Sequence, residues 1–236
     1  ALGKRGDDEG GRYAQSELQR CGVDTSGILV DPTSPTGFSD VMTLRDTGER
    51  TFFHNRGANA TFVPEDVKLT TLGCRMLHVA YIHLLDGFDA PDPDYGTTLA
   101  RFLKSAQEAG ILTSIDVVSS LGEQFAERVI AALPYTDNAI MNEIEACGVS
   151  GLAPRDGEGK LITENIRATM DMLMSYGVGQ RVIVHCPEAG FCLSRDGDFT
   201  VVPSLKLPAG YIKGTVGAGD SFCAGCLYGI YHGFAD

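Results

Sequence analysis

"KGTVGAGDSFCAGCLYG", residues 213–229, is the stretch on which the architecture turns. Gly217, Ala218 and Gly219 stand directly before an acid, Asp220, and small or apolar residues then recur through Phe222, Ala224, Cys226, Leu227 and Ile230. The spacing predicts a helix entered through a turn almost devoid of side chains. N–H groups at a helix N-terminus have no intrahelical partner, and the macrodipole is positive there. Bare backbone lets an anion reach those donors. An acid in that place is unfavourable for binding an anion alone. It fits a reaction in which Asp220 takes a proton from a hydroxyl while the N–H groups stabilise charge on the group attacked. That is phosphoryl transfer to an alcohol. Taken alone, the same residues also read as a plain capped helix start. The glycines match neither G-x-x-x-x-G-K-[ST] nor G-x-G-x-x-G.

Upstream, apolar strands alternate with helices. "CRMLHVAYI", "GILTSIDVV", "TDNAIMN" and "RVIVHC" read as strands, with helices at Tyr95–Ala109, Gly122–Leu133, from Glu143, and at Glu164–Tyr176. The hairpin "FCLSRDGDFTVVP" follows. Such alternation predicts a parallel sheet covered on both faces, with ligands beyond the carboxyl ends of the strands. Asp116, Asn142 and the 213–229 stretch all fall at or after strand ends, where they converge on one crevice. Asp116 also reads as a strand-end cap. Nearer the start, "EGGRYAQSELQRCGVDTSGI" predicts a helix ended by Gly22, then a turn into a strand. Strands at Thr36–Leu44 and Arg50–Asn55, joined by "DTGE", predict a small antiparallel flap apart from the main sheet.

The chain has 236 residues, 43% hydrophobic and 21% charged, proportions of one large α/β domain or one with an excursion. A net charge of −12 disfavours nucleic acid and anionic lipid as partners. No apolar run approaches the roughly 20 residues of a membrane span, and "ALGKRGDDEGG" is polar where a secretory leader is apolar. Seven dispersed cysteines predict reduced thiols and a cytoplasmic setting. Cys223 and Cys226 form a C-x-x-C that reads as helix packing, since no second pair completes a zinc site. His78, His83, His185 and His232 are too dispersed in sequence to suggest a metal centre.

"AIMNEIEACG" ends a strand with Asn142 and opens a helix with Glu143 and Glu145. Asn142 and Glu145 form N-x-x-E, an amide and a carboxylate suited to a hydrated Mg²⁺. The same residues read as an ordinary helix cap.

Together, "GTVGAGDSF" and "NEIE" resemble the ribokinase-like (PfkB) carbohydrate kinases, whose second signature typically runs D-T-x-G-A-G-D-x-F. "GKRGDDEGGRYAQSELQRCGVDTSGI" is similar to the family's early glycine–aspartate turn and helix, and "DTGERTFFHNRGANATF" to its lid. The resemblance runs from about Gly3 to the chain end. It implies a ribokinase-like three-layer α/β/α sandwich with a mainly parallel central sheet and a small β-strand lid. Residues 1–27 and 63–236 are then the nucleotide-binding core and 28–62 the lid over the substrate site.

The implied activity is ATP-dependent phosphorylation of a hydroxymethyl group of a small sugar or sugar derivative. Asp220 is the implied base at the acceptor, and Gly217, Ala218 and Gly219 the anion hole. Asn142 and Glu145 organise Mg²⁺ and phosphates, with Thr215 and Gly190 on the nucleotide side. Arg56, in "FFHNRGANA", is the candidate for an acceptor carboxylate, because guanidinium forks suit carboxylates and vicinal hydroxyls. A solvated lid arginine is the alternative. Asn59, His54 and Asn55 are further candidates. ATP and Mg²⁺ are the implied cofactors, a monovalent cation is left open, and a homodimer through the lid is implied. A nucleoside kinase of the same superfamily, or a non-catalytic sensor on this fold, are the alternatives; a pure binder gains nothing from Asp220.

The chain departs from the family in three places. Gly214 replaces the signature's leading Asp. After "VIVHC" comes "PEAG", where Pro187 removes an N–H and leaves Gly190 to be carried over. The family's sugar-site signature is expected before Ala1 and its adenine-flanking segments beyond Asp236, so the chain reads as incomplete at both ends.

Overall fold

Two packing units, each described by itself, make up the computed structural model, which describes residues 1–46, 50–118, 124–208, 210–212 and 214–235. The first comprises Ala1–Lys68 with Leu84–Ala90. It opens with β1 (Leu2–Gly6), which pairs in parallel with β2 (Gly27–Asp31), Leu2 opposite Gly27. The sequence signals the second of these strands and not the first. "LGKRG" carries no alternation of its own, and its neighbour in space is what makes it a strand.

Between them lies α1 (Glu9–Arg20), capped by Asp8. The Asp8 carboxylate accepts from the Gly11 N–H at 2.8 Å and from the Thr36 hydroxyl and N–H at 2.6 and 2.7 Å. Those bonds, the Thr36 hydroxyl's first, hold its pKa down at about 2. Strands β3 (Phe38–Thr43) and β4 (Arg50–Asn55) form an antiparallel pair, Phe38 opposite Asn55 and Thr43 opposite Arg50. The predicted turn residues 47–49 lie outside the described residues. Phe38, Val41, Met42, Phe52 and Phe53 are all exposed, with apolar side chains on both faces of the pair. Two 3₁₀ turns, Gly57–Thr61 and Pro64–Asp66, lead on, and Phe62 packs on Phe88 of the short α2 (Asp86–Asp89) at 5.3 Å between centroids.

The second unit comprises Leu69–His83 and Pro91–Asp236. It begins with β5 (Met76–Ile82) and a two-residue pair, β6 (Pro91–Asp92) and β7 (Gly96–Thr97). The helix expected from Tyr95 starts later, as α3 (Thr98–Glu108). Asp92 accepts the Tyr95 N–H at 2.9 Å in the β6–β7 turn, and Thr97 then caps the helix through the Ala100 N–H at 3.1 Å. There follow β8 (Leu112–Val117), α4 (Phe125–Ala132), β9 (Asn138–Asn142), α5 (Glu143–Ser150) and α6 (Thr163–Ser175). The antiparallel strands β10 (Arg181–His185), β11 (Ala189–Ser194) and β12 (Phe199–Pro203) precede α7 (Ala218–His232). The expected start of α4 at Gly122 falls outside the described residues.

The sheet runs β12-β11-β10-β9-β8-β5, parallel from β10 to β5 and antiparallel in the terminal hairpin. Strands β8, β9 and β10 are almost wholly buried, as a sheet covered on both faces requires. Side chains alternate between the faces. Ile140 and Ile183 pack with Cys223, Phe222, Cys226, Leu227 and Ile230 of α7. Helices α3 to α6 pack on one another and on β8 and β10, covering the other face. This is the three-layer α/β/α arrangement with a mainly parallel sheet and small antiparallel strand pairs that the sequence predicts. Among the described residues no helix is long and apolar enough to cross a membrane, and all seven cysteines are unpaired thiols.

Candidate active site

The residues that enter α7 form the centre of the site. Gly217 sits at φ +77°, the left-handed region that glycine enters without steric cost, and turns the chain into the helix. The Ala218 N–H donates to the Thr215 carbonyl at 3.2 Å, and the Ser221 N–H to the Gly217 carbonyl at 2.9 Å. Thr215 itself is exposed. Gly219 faces the imidazole of His185, whose Cε1 would lie 3.5 Å from any added Cβ. His185 ends β10 and rests against Phe222 at 4.7 Å between centroids.

Asp220 is the third residue of α7 and is exposed. Its carboxylate accepts a hydrogen bond from the Tyr81 hydroxyl of β5. Burial, then that bond and the Asp220 charge, push the phenol's pKa well above its ordinary value, so it remains a donor. A carboxylate is thereby tethered by one neutral donor at the positive end of a helix, open to solvent. It is placed to accept a proton.

Two more carboxylates, Asp116 and Glu145, belong to the same electrostatic neighbourhood, since the charges of Glu145 and Asp220 both act on Asp116. Asp116, near the end of β8, is buried; burial first, then the charges of Glu145 and Asp220, push its pKa up to about 7. Asn142 ends β9 and caps α5. Its Oδ1 accepts the N–H groups of Ile144 and Glu145 at 2.9 and 2.8 Å, while Glu145 Oε2 accepts the Asn142 N–H at 2.9 Å. N-x-x-E is therefore a reciprocal cap in this structure.

The adjacent Glu143, also buried, is held by Arg155 through Nη2 at 2.8 Å and Nε at 3.3 Å. The same guanidinium grips Glu188 with two bonds of 2.7 and 2.9 Å.

Other sequence candidates fall elsewhere. Gly190 lies on β11, where an added Cβ would meet the Phe222 ring at 3.1 Å, so its smallness serves packing under α7. It also lines a groove of about 330 Å³ with Ile183, Phe191, Val202, Cys226 and Ile230. That groove is apolar and holds none of the other candidates. Arg56 and Asn59 belong to the first unit. The Arg56 guanidinium is ion-paired with Asp86, and the Asn59 N–H donates to the Arg56 carbonyl at 3.0 Å. Two residues escape sequence reasoning, Tyr81 and Arg155; His185, set aside there with the other dispersed histidines, packs on Phe222. Tyr81 does end an apolar strand, where sites in such sheets gather. Nothing in the sequence marks Arg155.

The profile of the pfkB family carbohydrate kinases matches residues 1–234. Over 131 residues the chain is 28% identical to an ATP-dependent ribose-1-phosphate kinase of Halopiger xanaduensis, covering 56% of this chain and 40% of that protein. Over 237 residues it is 28% identical to fructokinase-1 of Zea mays, covering 97% and 67%. Its fold superposes on the crystal structure of a fructokinase with bound ATP from Xylella fastidiosa with a TM-score of 0.74, at 22% identity, covering all of this chain and 69% of that one. The chain thus spans from 40% to about two thirds of the length of these proteins.

Proposed function

The chain belongs to the pfkB family of carbohydrate kinases, a family of phosphotransferases, and from that premise we propose that it transfers the γ-phosphoryl group of ATP to a hydroxymethyl group of a small sugar or sugar derivative. The observation that carries the proposal is Asp220, exposed at the glycine-opened N-terminus of α7 and held by Tyr81. In this role Asp220 removes the acceptor's proton. The N–H groups of the Gly217–Gly219 turn stabilise charge on the transferring group, Ala218's while also bonded to Thr215. Acceptor-dependent ADP release across sugars, sugar acids and nucleosides tests it. A nucleoside as the sole acceptor would replace the sugar reading with the nucleoside-kinase one.

Oxygen donors with one carboxylate suit Mg²⁺, and three neighbouring acids, one lifted to about pH 7 partly by the other two, favour a cation among them. We assign Asn142 and Glu145 to hold it with the phosphates, and Thr215 to the nucleotide side. The ion would bridge phosphate oxygens and neutralise their charge. Glu145→Gln keeps an acceptor for the Asn142 N–H, so the cap survives. The Mg²⁺ concentration for half-maximal rate is expected to rise about ten-fold. An unchanged titration returns Asn142–Glu145 to a cap alone.

In this proposal the β3–β4 hairpin serves as the lid, and Arg56 reads an acceptor carboxylate. Its pair with Asp86 is exposed on both sides and adds little to stability. Arg56→Ala is then expected to lower kcat/KM on a sugar acid by about 1.5–3 kcal/mol, the scale of a hydrogen bond to a charged group, and far less on the neutral analogue. Equal losses on both would leave Arg56 no part in recognition. The exposed Phe38, Met42, Phe52 and Phe53 support a homodimer through this hairpin; sedimentation as a monomer would refute that part. Seven free thiols accord with a cytoplasmic setting.

A further inference from the structure

Helix α7 and strands β5 and β8 bring together three side chains that lie far apart in sequence. His78 of β5, Asp116 of β8 and Cys223 of α7 place one ligand atom each so that all lie within 4.8 Å of one another. Asp116 and Cys223 are buried, and His78 is partly so. Cys223 Sγ stands 3.7 Å from His78 Nε2. Around a tetrahedral zinc ion, bonds of about 2.3 Å to sulfur and about 2.05 Å to nitrogen set those two atoms roughly 3.5 Å apart. The sulfur–nitrogen spacing is therefore close to that of a metal site, with the carboxylate within 4.8 Å of both atoms.

The surroundings orient the donors. Ser114 Oγ lies 3.1 Å from His78 Nδ1; in the tautomer whose proton is on Nδ1, that N–H donates to the hydroxyl and the Nε2 lone pair is available to a ligand. The Val117 N–H donates to Asp116 Oδ1 at 2.8 Å, fixing that carboxyl too. We propose that His78, Asp116 and Cys223 form a binding site for a thiophilic divalent cation of the zinc class, with three protein ligands and a fourth position open.

The donor chemistry agrees. Burial pushes the imidazole pKa down to about 4, keeping the ring neutral and able to ligate. Burial, with the Asp116 charge next, lifts the Cys223 thiol to about 12, a cost that a dipositive ion reverses by taking the thiolate directly. A sulfur ligand selects zinc, or cobalt as its probe, over magnesium. The charge of Asp220 acts on all three donors. Occupancy thus couples soft-metal availability to the carboxylate assigned above as the base, a consequence that rests on that assignment; binding does not.

Co²⁺ titration of the reduced, chelator-treated chain tests the site without any measurement of activity. The expected result is one equivalent of Co²⁺ giving a thiolate-to-cobalt charge-transfer band, bleached by stoichiometric Zn²⁺. Cys223→Ser, close in size, is expected to abolish the band, and His78→Gln to weaken binding at least ten-fold. Cys226→Ser, one turn further along α7, is expected to leave the band in place. No band in the unmodified chain, or a band that survives Cys223→Ser, overturns the proposal and leaves a buried S–H···N contact.

Discussion

Asp220→Asn is expected to lower kcat by about 10²–10⁴ while leaving the affinities for nucleotide and acceptor within a few-fold. The substitution is nearly isosteric, and the amide oxygen still accepts from the Tyr81 hydroxyl, so the entrance to α7 keeps its form. On the proposed role, what the variant gives up is the ability to take a proton as the acceptor oxygen attacks. Asp220 is exposed at rest, so the loss belongs to the chemical step and not to folding. The split between kcat and KM is the diagnostic, because an interaction made only in the transition state lowers kcat without raising KM. A variant that keeps more than half the activity removes Asp220 from the role of base.

Arg155→Ala is the largest expected effect on stability, about 3 kcal/mol, because it strands a buried acid. Glu143 is 6% exposed at the first position of α5, and Arg155 holds it with two nitrogens. Removing the guanidinium leaves a carboxylate out of water with no cation. For a chain of this length the melting temperature is expected to fall by about 6–12 °C. Glu143→Gln in the same background is expected to recover most of that loss, since it removes the stranded charge. The pH dependence supplies a second reading. Arg155, through its hydrogen bonds first, holds Glu188 at about 2, below its ordinary 4.5. A carboxyl depressed on folding contributes stability that is fully present above its unfolded pKa and lost as pH falls through the folded one. The unmodified chain therefore loses this contribution between about pH 4.5 and pH 2, and Arg155→Ala flattens that limb. A cost below 1 kcal/mol would show that Glu143 finds another partner or water.

The sheet strands were legible because they are nearly continuous apolar runs, and α7 because small residues recur behind a glycine turn. β1 was not, because "LGKRG" becomes a strand only through its partner β2. Tyr95 reads as helical in isolation, and Asp92 captures it into a turn instead. At the site, Asp220, Gly217 and Asn142 carry their signals locally, in the residues beside them. Tyr81 acts on Asp220 across 139 residues, and His78 meets Cys223 across 145. No spacing rule reaches that far. The sheet and α7 bring His78, Asp116 and Cys223 within 4.8 Å of one another although they lie far apart in sequence. Arg56 reads in the sequence as a contact for an acceptor carboxylate or as a solvated arginine, and its ion pair with Asp86, 30 residues on, is visible only in the structure.

Phosphoryl transfer to a hydroxymethyl oxygen is most directly tested by an acceptor pair: a hexose that supports ADP release with Mg-ATP, and the same hexose lacking only its primary hydroxyl. The predicted result is stoichiometric ADP and a sugar phosphate, esterified at that oxygen by phosphorus NMR, from the first, and neither from the second. Equal ADP release with both sugars, or a phosphate found on another oxygen, would contradict the account.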